Sequence, residues 1–265
     1  MKKVLFILLV VLSLSVNVFA KGNKSIVLAT TTSVRDSGLM DYLLPMFKED
    51  TGYSVDMVAV GTGKALQMGE DGEADVLLVH AKASELKFMS EGHGVKRKEL
   101  FHNYFVVVGP KNGVETSSVE SALTKINSEG LNFASRGDNS GTNKKEMQLW
   151  GENNITPKGD WYIVAGSGMA STLRVADEMQ AYTLSDIATY LNLKDTLDLE
   201  IKVGEDSSLL NQYSVITIAP SKNKFINEKG ANVFMQWLAS DRVEEKVGEF
   251  GRDRFGMSLF IPDQK

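Results

Sequence analysis

The sequence predicts an α/β protein with largely parallel sheets, and three observations carry that expectation. Short β-branched and apolar runs alternate along the chain with segments of helical periodicity. Several runs are apolar throughout, as strands covered on both sheet faces should be. Four of them pass through a cluster of glycine and small hydroxyl residues straight into a helix. With 265 residues, 43% of them hydrophobic, the chain can bury a sizeable core in one large domain or two small ones.

The first 20 residues stand apart. A basic start "MKK", the apolar run 4–16 and the ending "VFA" predict a secretory signal peptide cleaved after Ala20. The apolar run is too short for a comfortable membrane span, so the mature chain is expected to be soluble. Strands are then expected at "SIVLATT" (25–31), "YSVDMVAV" (53–60), "ADVLLVHA" (74–81), "YFVVVGP" (104–110), "LNFAS" (131–135), "WYIVAG" (161–166), "AYTLS" (181–185) and "YSVITIAP" (213–220), all rich in β-branched and aromatic residues. Between them, apolar residues three or four apart predict helices at 37–52, 63–72, 83–94, 142–153, 168–179 and 186–193. The segment 225–250 has helical spacing at Phe234, Trp237 and Leu238 and reads as core packing. No repeat or low-complexity linker interrupts the pattern.

Charge and cysteine content narrow the function. Cleavage after Ala20 removes two of the 29 basic residues, Lys2 and Lys3, and none of the 34 acidic ones, leaving 27 against 34 and a net charge of −7. That balance argues against nucleic acid as a partner. A secreted chain with no cysteine has neither disulfides nor a lipoprotein anchor point, which fits a bacterial periplasm.

The strand-to-helix junctions carry the chemistry: "LATTTSVRDSGL", "VAVGTGKAL", "FASRGDNSGTNKKE" and "IVAGSGMASTL". A helix start presents free N–H groups and the positive end of its dipole, and glycine lets a ligand approach the backbone. Any one junction is best read as a capped helix. Four that converge on one crevice would surround a multi-oxygen anion with donors. Other motifs fail. "GTGK" at 61–64 lacks the glycine and the Ser/Thr of a phosphate loop, having Val58 and Ala65 there. "AGSGMAS" lacks nucleophile-elbow spacing, and His80, His93 and His102 have no metal-ligand spacing and read as structural or solvated. "RGD" and the sequon at Asn154 are short enough to arise by chance.

Taken in order, "LATTTSVRDSGLMDYLLPMF", "TGYSVDMVAVGTGKALQMGEDGEADVLLVHA", "YFVVVGPK", "SRGDNSGTNKKEMQLW" and "WYIVAGSGMASTLRVADE" closely resemble the tungstate-binding proteins of bacterial ABC importers. The resemblance runs from about Ile26 to the C-terminus. It implies a class II periplasmic binding fold: two α/β domains joined by two crossing strands and closing on an oxyanion. Domain I would comprise 21–103 and 217–265, and domain II 104–216, with 104–110 and 213–220 as hinge strands. Carried over by position, the resemblance places the anion near Thr32 and Ser33, Thr62, Ser135 and Arg136, the turn Ser140, Gly141 and Thr142, and the helix start Ser167, Gly168 and Met169. Hydroxyl and amide donors plus one guanidinium suit a deprotonated tetrahedral dianion, so no cofactor, metal or catalytic residue is expected.

Asp138 then reads as bracing Arg136 or capping the turn, since a bare carboxylate repels a dianion. It also defines a rival, because a carboxylate that entered the crevice would accept the proton of monohydrogen phosphate; phosphate-binding proteins of the same fold carry a similar turn. Tungstate and molybdate are not separable here. In the resembled family an arginine usually stands where this chain has Ile187. Arg174 is one substitute, although Asp177 and Glu178 on the same helix are its expected partners. The expected function is capture of tungstate, with molybdate as co-ligand, by a monomeric protein that delivers it to a membrane permease. A sensor role shares the same chemistry, and a secreted phosphate or sulfate ester hydrolase with Ser33 or Ser140 as nucleophile lacks a visible base.

Overall fold

In the computed structural model, residues 24–204 and 206–263 are described; the expected signal peptide and Ala20 lie outside them. β1 (Ser25–Thr31) runs into the one-turn helix α1 (Thr32–Asp36), capped by Thr31, whose Oγ1 accepts the Val34 amide at 3.4 Å. α2 (Leu39–Thr51) is bracketed by Gly38 and Gly52, with φ of 78° and 72°, a left-handed conformation that glycine adopts without strain. β2 (Ser54–Val60), α3 (Thr62–Glu70), β3 (Val76–Val79) and α4 (Lys82–Ser90) follow.

β4 (Gly94–Pro110) is the long strand of the molecule at 17 residues. Beyond it come α5 (Val119–Glu129), β5 (Phe133–Ser135), α6 (Gly141–Glu152), β6 (Tyr162–Val164), α7 (Met169–Glu178), β7 (Thr183–Asp186), α8 (Ile187–Leu193) and β8 (Leu199–Val203). β9 (Leu210–Ile218), α9 (Glu228–Leu238), α10 (Asp241–Glu249), α11 (Arg252–Phe255) and β10 (Ile261–Pro262) complete the chain.

The main sheet has the order β10-β4-β9-β3-β1-β2, with β7 and β8 paired to the far half of β4. β4 changes partners along its length: Gly94 to Tyr104 pairs with β9, while Phe105 to Pro110 pairs with β7 and β8. β9 is hydrogen-bonded to β4 from Leu210 onward and to β3 from Ser214. The sheets are less parallel than expected. β1 pairs in parallel with β2 and β3, and β5 with β6, but the five other pairings are antiparallel. The cause is the pair β4 and β9, which run against each other and against the strands they join.

Alternate side chains of the central strands feed opposite cores, so the sheet is covered on both faces. Ile26, Leu28, Val76, Leu78, Tyr213 and Val215 pack on α2 and α9, whereas Ala29, Leu77, Val79, Ile216 and Ile218 face α3 and Phe88. The same alternation divides β4: Phe105 and Val107 pack with Leu123 and Trp150, and Val106 and Val108 with Met169, Leu173 and Tyr190.

Candidate functional site

Parallel pairing brings three strand ends to one edge. Thr31 lies opposite Val60 in β2, and Thr30 opposite Leu78 in β3, so the residues that follow, Thr32 and Ser33, Gly61 and Thr62, and His80, emerge together. Thr62 is wholly buried and its Oγ1 has no hydrogen-bond partner. Ser33 is buried with its Oγ 3.1 Å from Thr31 Oγ1 and 3.3 Å from His80 Nε2. His80, expected to be structural or solvated, is structural and stands within the cluster. Its strand-end position, immediately after the buried β3, was the available signal.

The facing edge is built from β5, β6 and the helices after them. Arg136, next to β5, is only 3% exposed; its Nη2 donates to Asp138 Oδ2 at 2.6 Å, and its Nε is buried without a partner. Asp138 both braces the arginine and caps the turn, its Oδ1 accepting the Ser140 amide at 3.1 Å. Gly137 and Asn139 take positive φ and fold this turn back on itself. Ser140 is the N-cap of α6, its Oγ accepting the Asn143 amide at 3.2 Å. Thr142 is buried with an unpartnered Oγ1, and Ser167 Oγ, ahead of α7, is likewise buried and unpartnered. Gly168 caps α7 through its backbone alone.

The two edges meet. Arg136 Nη2 donates to Thr32 Oγ1 at 3.3 Å, and a Cβ on Gly168 would stand 3.7 Å from that same hydroxyl. A Cβ on Gly61 would lie 3.6 Å from the Asp138 carbonyl, and one on Gly141 would lie 2.9 Å from Thr62 Oγ1 and 2.7 Å from the His80 ring. Thr32, Ser33, Thr62, Arg136, Ser140, Gly141, Thr142 and Gly168 therefore form one cluster, with Ser167 beside it in the chain. Two expected residues contribute differently. Ser135 Oγ donates to the buried Glu146 at 2.7 Å, away from the cluster, and the Met169 side chain lies in the core with Val106 and Leu173.

Titration shapes the electrostatics. Burial holds His80 down at about 4, with Arg136 adding to the effect against a hydrogen bond to Asn211. Asp186, the buried N-cap of α8, is pushed up to about 6 by burial despite Arg136, and its Oδ2 has no partner. Ile187 packs with the apolar cluster around Leu173 and borders a cavity of about 810 Å³ lined by Tyr104, Ile201, Met257 and Ile261, none of them in the anion cluster. Arg174 is exposed and makes no ion pair among the described residues; Asp177, its expected partner, instead accepts the Asp198 amide. Among the described residues, the one metal-capable group is Glu70, Glu91 and His93, with ligand atoms within 4.8 Å of one another; Lys87 already pairs with Glu91 at 3.7 Å. No described helix is long and apolar enough to cross a membrane.

Comparison with known proteins gives the family and the fold. The PBP superfamily domain matches residues 20–242. The chain is 52% identical over 250 residues to the tungstate-binding protein TupA of Peptoclostridium acidaminophilum, covering 92% of this chain and 87% of that protein. Among solved structures, it resembles the tungstate-binding protein TupA from Desulfovibrio alaskensis G20 at 40% identity and TM-score 0.77, covering 91% and 99% of the two chains. It also resembles the tungstate ABC transporter structure from Geobacter sulfurreducens at 38% identity and TM-score 0.79, covering 85% and 98%.

Proposed function

The chain belongs to the PBP superfamily and, within it, to the family of the tungstate-binding proteins, and from that premise we propose that it captures tungstate between two lobes and delivers it to the permease of an ABC importer. The observation that carries the reading is the set of buried donors without protein partners: Thr62 Oγ1, Thr142 Oγ1, Ser167 Oγ and Arg136 Nε. They come from three different strand-to-helix junctions, Arg136 and Thr142 sharing the one between β5 and α6, and a buried donor left unmatched costs on the order of 1–3 kcal/mol, so four at one crevice suit a ligand made of acceptors. A tetrahedral dianion is such a ligand, and it needs no metal or cofactor beside it.

In this reading the lobes are 21–103 with 217–265, and 104–216, joined by β4 and β9; the pairing of β9 with β3 and β4 supports counting 210–216 with the first lobe instead of the second. The same reading makes the protein periplasmic, released from a signal peptide, monomeric, and a binder rather than an enzyme. The hydrolase alternative gains in His80 the base it lacked, but an imidazole held near 4 is a poor acceptor for a serine proton at neutral pH. Phosphate loses the proton acceptor it needed at Asp138, both of whose oxygens are engaged.

Isothermal titration of the mature, anion-stripped chain with tungstate, molybdate, sulfate and phosphate tests the reading. Tight stoichiometric tungstate binding with phosphate silent is expected. Thr142→Val, which removes one donor at nearly constant volume, weakens binding about tenfold, and Arg136→Ala weakens it further. Phosphate binding with tungstate silent, or turnover of a chromogenic phosphate ester, would overturn the proposal.

A further inference from the structure

Three parts of the molecule meet at His80. Its Nε2 lies 3.3 Å from Ser33 Oγ in α1, its Nδ1 lies 2.8 Å from Asn211 Oδ1 in β9, and its ring edge fills the space a Cβ on Gly141 of α6 would take. The ring stacks on Tyr213 of β9 with centroids 4.8 Å apart and stands 6.2 Å from Phe105 of β4. Asn211 has its own amide committed: Nδ2 donates to Asn103 Oδ1 at 2.8 Å and to Tyr213 Oη at 2.9 Å. Asn103 and Asn211 are direct partners across the antiparallel pair β4 and β9. His80, Ser33, Asn103, Asn211 and Tyr213 are all buried.

Proton counting fixes the direction of this relay. With Nδ2 of Asn211 donating elsewhere, its Oδ1 is an acceptor, so His80 Nδ1 carries the hydrogen. In a neutral ring Nε2 is then bare and accepts the Ser33 hydroxyl. That hydroxyl has one proton. Ser33 thus spends its donor on His80, which leaves an anion the unpartnered donors of Thr62, Thr142, Ser167 and Arg136 and the hydroxyl protons of Thr32 and Ser140, whose oxygens accept from Arg136 and the Asn143 amide.

We propose that His80 is a positioning residue that couples the anion crevice to the crossing strands, holding Ser33 to Asn211 and seating the head of α6, so that closure on the anion and the geometry of β4 and β9 are read by one side chain. The inference rests on the anion-binding reading above. The groups that face His80 are Ser33 from α1, Asn211 and Tyr213 from β9, Phe105 from β4 and Gly141 from α6. The charges near it are Arg136, Asp186, which acts on both Arg136 and the stacked Tyr213, and, around a cavity of about 550 Å³ that His80 borders, Lys82, Lys144 and Lys145.

Two measurements test it. Long-range 1H–15N correlation of the imidazoles in the full mature chain, with His80 assigned by loss of its signals in His80→Phe, reports the tautomer whether or not any anion binds. A hydrogen on Nδ1 across about pH 6 to 8 is expected, and a hydrogen on Nε2 would overturn the proposal. The second is tungstate titration of parent and Asn211→Asp over the same range. The parent should show only the shallow change that Asp186, titrating at about 6, imposes near the bottom of the range. A carboxylate at 211 raises the His80 pKa toward neutrality, and above that pKa it stands unpaired beside the crevice, so affinity in Asn211→Asp should fall by about tenfold or more as pH rises. An Asn211→Asp profile as shallow as the parent's, at parental affinity, sinks the coupling. A parent silent to all four oxyanions, with the Nδ1 tautomer present, overturns the anion reading and supports the relay itself.

Discussion

His80 and Asp186 are buried at the same cleft, and burial moves their titrations in opposite directions, with opposite consequences for stability. His80 sits at about 4 in the fold against an ordinary 6.5, so between those values the unfolded chain binds the extra proton, and stability falls as pH drops through that window. Asp186 sits at about 6 against 3.8, so the folded chain binds the extra proton there and stability rises as pH drops. Each slope is about 1.4 kcal/mol per pH unit, and between about pH 4 and 6 they oppose one another. Asp186→Asn keeps an N-cap and removes the second slope, so urea melts should show it more stable than the parent at pH 7, by up to about 3 kcal/mol, with the advantage shrinking on acidification. Parallel pH profiles for the two proteins would refute this account. Neither residue was marked by sequence, because a shifted pKa is made by what packs around a side chain. Arg136 and Asp138 were legible, because their partners lie within the same short turn.

Among the elements, the strands buried on both faces and the helices with a clean apolar stripe were legible, and the exceptions have physical reasons. α5 was missed although Val119, Ala122, Leu123 and Ile126 form its buried face and Ser118 caps it, because four polar residues from Glu115 to Ser118 read as a loop. The first half of β4, "GVKRKELFHN", was missed because the exposed Lys96 and Lys98 flank Arg97, which turns inward to pair with the buried Glu85 at 2.8 Å, so three consecutive bases mask the alternation. β8 escaped for a similar reason: it is five residues long and holds a buried lysine, Lys202, whose ammonium is satisfied by Glu200, Glu115 and the Lys111 carbonyl. The helix starts of the site were read correctly as glycine-bearing junctions, and α6 shows why glycine is needed there. A Cβ at position 141 would press within 2.7 Å of His80 and 2.9 Å of Thr62, neither of which can swing away from its buried setting. Gly141→Ala should therefore keep α6 off the opposite edge, weakening tungstate binding by at least about tenfold while the melting temperature of the anion-free protein hardly changes. Parental affinity in that variant would mean that the two edges do not need this contact.

At the scale of the whole molecule, the hydrogen bonds between the proposed lobes outside β4 and β9 are few, and they stand beside one apolar contact in which Ala188 and Leu191 of α8 reach the first lobe's core. Lys144 Nζ donates to Ser84 Oγ at 2.9 Å, Arg136 to Thr32 at 3.3 Å, and Asn192 Nδ2 to the Asp36 and Ser37 carbonyls at 3.1 and 3.3 Å. Arg254 Nη1 in turn holds Asn192 Oδ1 at 2.7 Å, fixing the amide at the C-terminal side of α1. A few exchangeable hydrogen bonds of about 0.5–1.5 kcal/mol each leave opening and closing finely balanced until an anion adds its own bonds to both edges. Asn192 lies on α8, outside the donor cluster, so removing it acts on closure and leaves every proposed ligand contact in place. Asn192→Ala should weaken tungstate binding by about tenfold, through lower occupancy of the closed arrangement. In X-ray scattering, its radius of gyration at saturating tungstate should still contract to that of the parent, because the added anion restores closure by mass action. A variant that binds as the parent does would place the closing energy in the anion contacts alone; one that binds weakly and stays expanded at saturation would mean that Asn192 builds the site instead of biasing its closure.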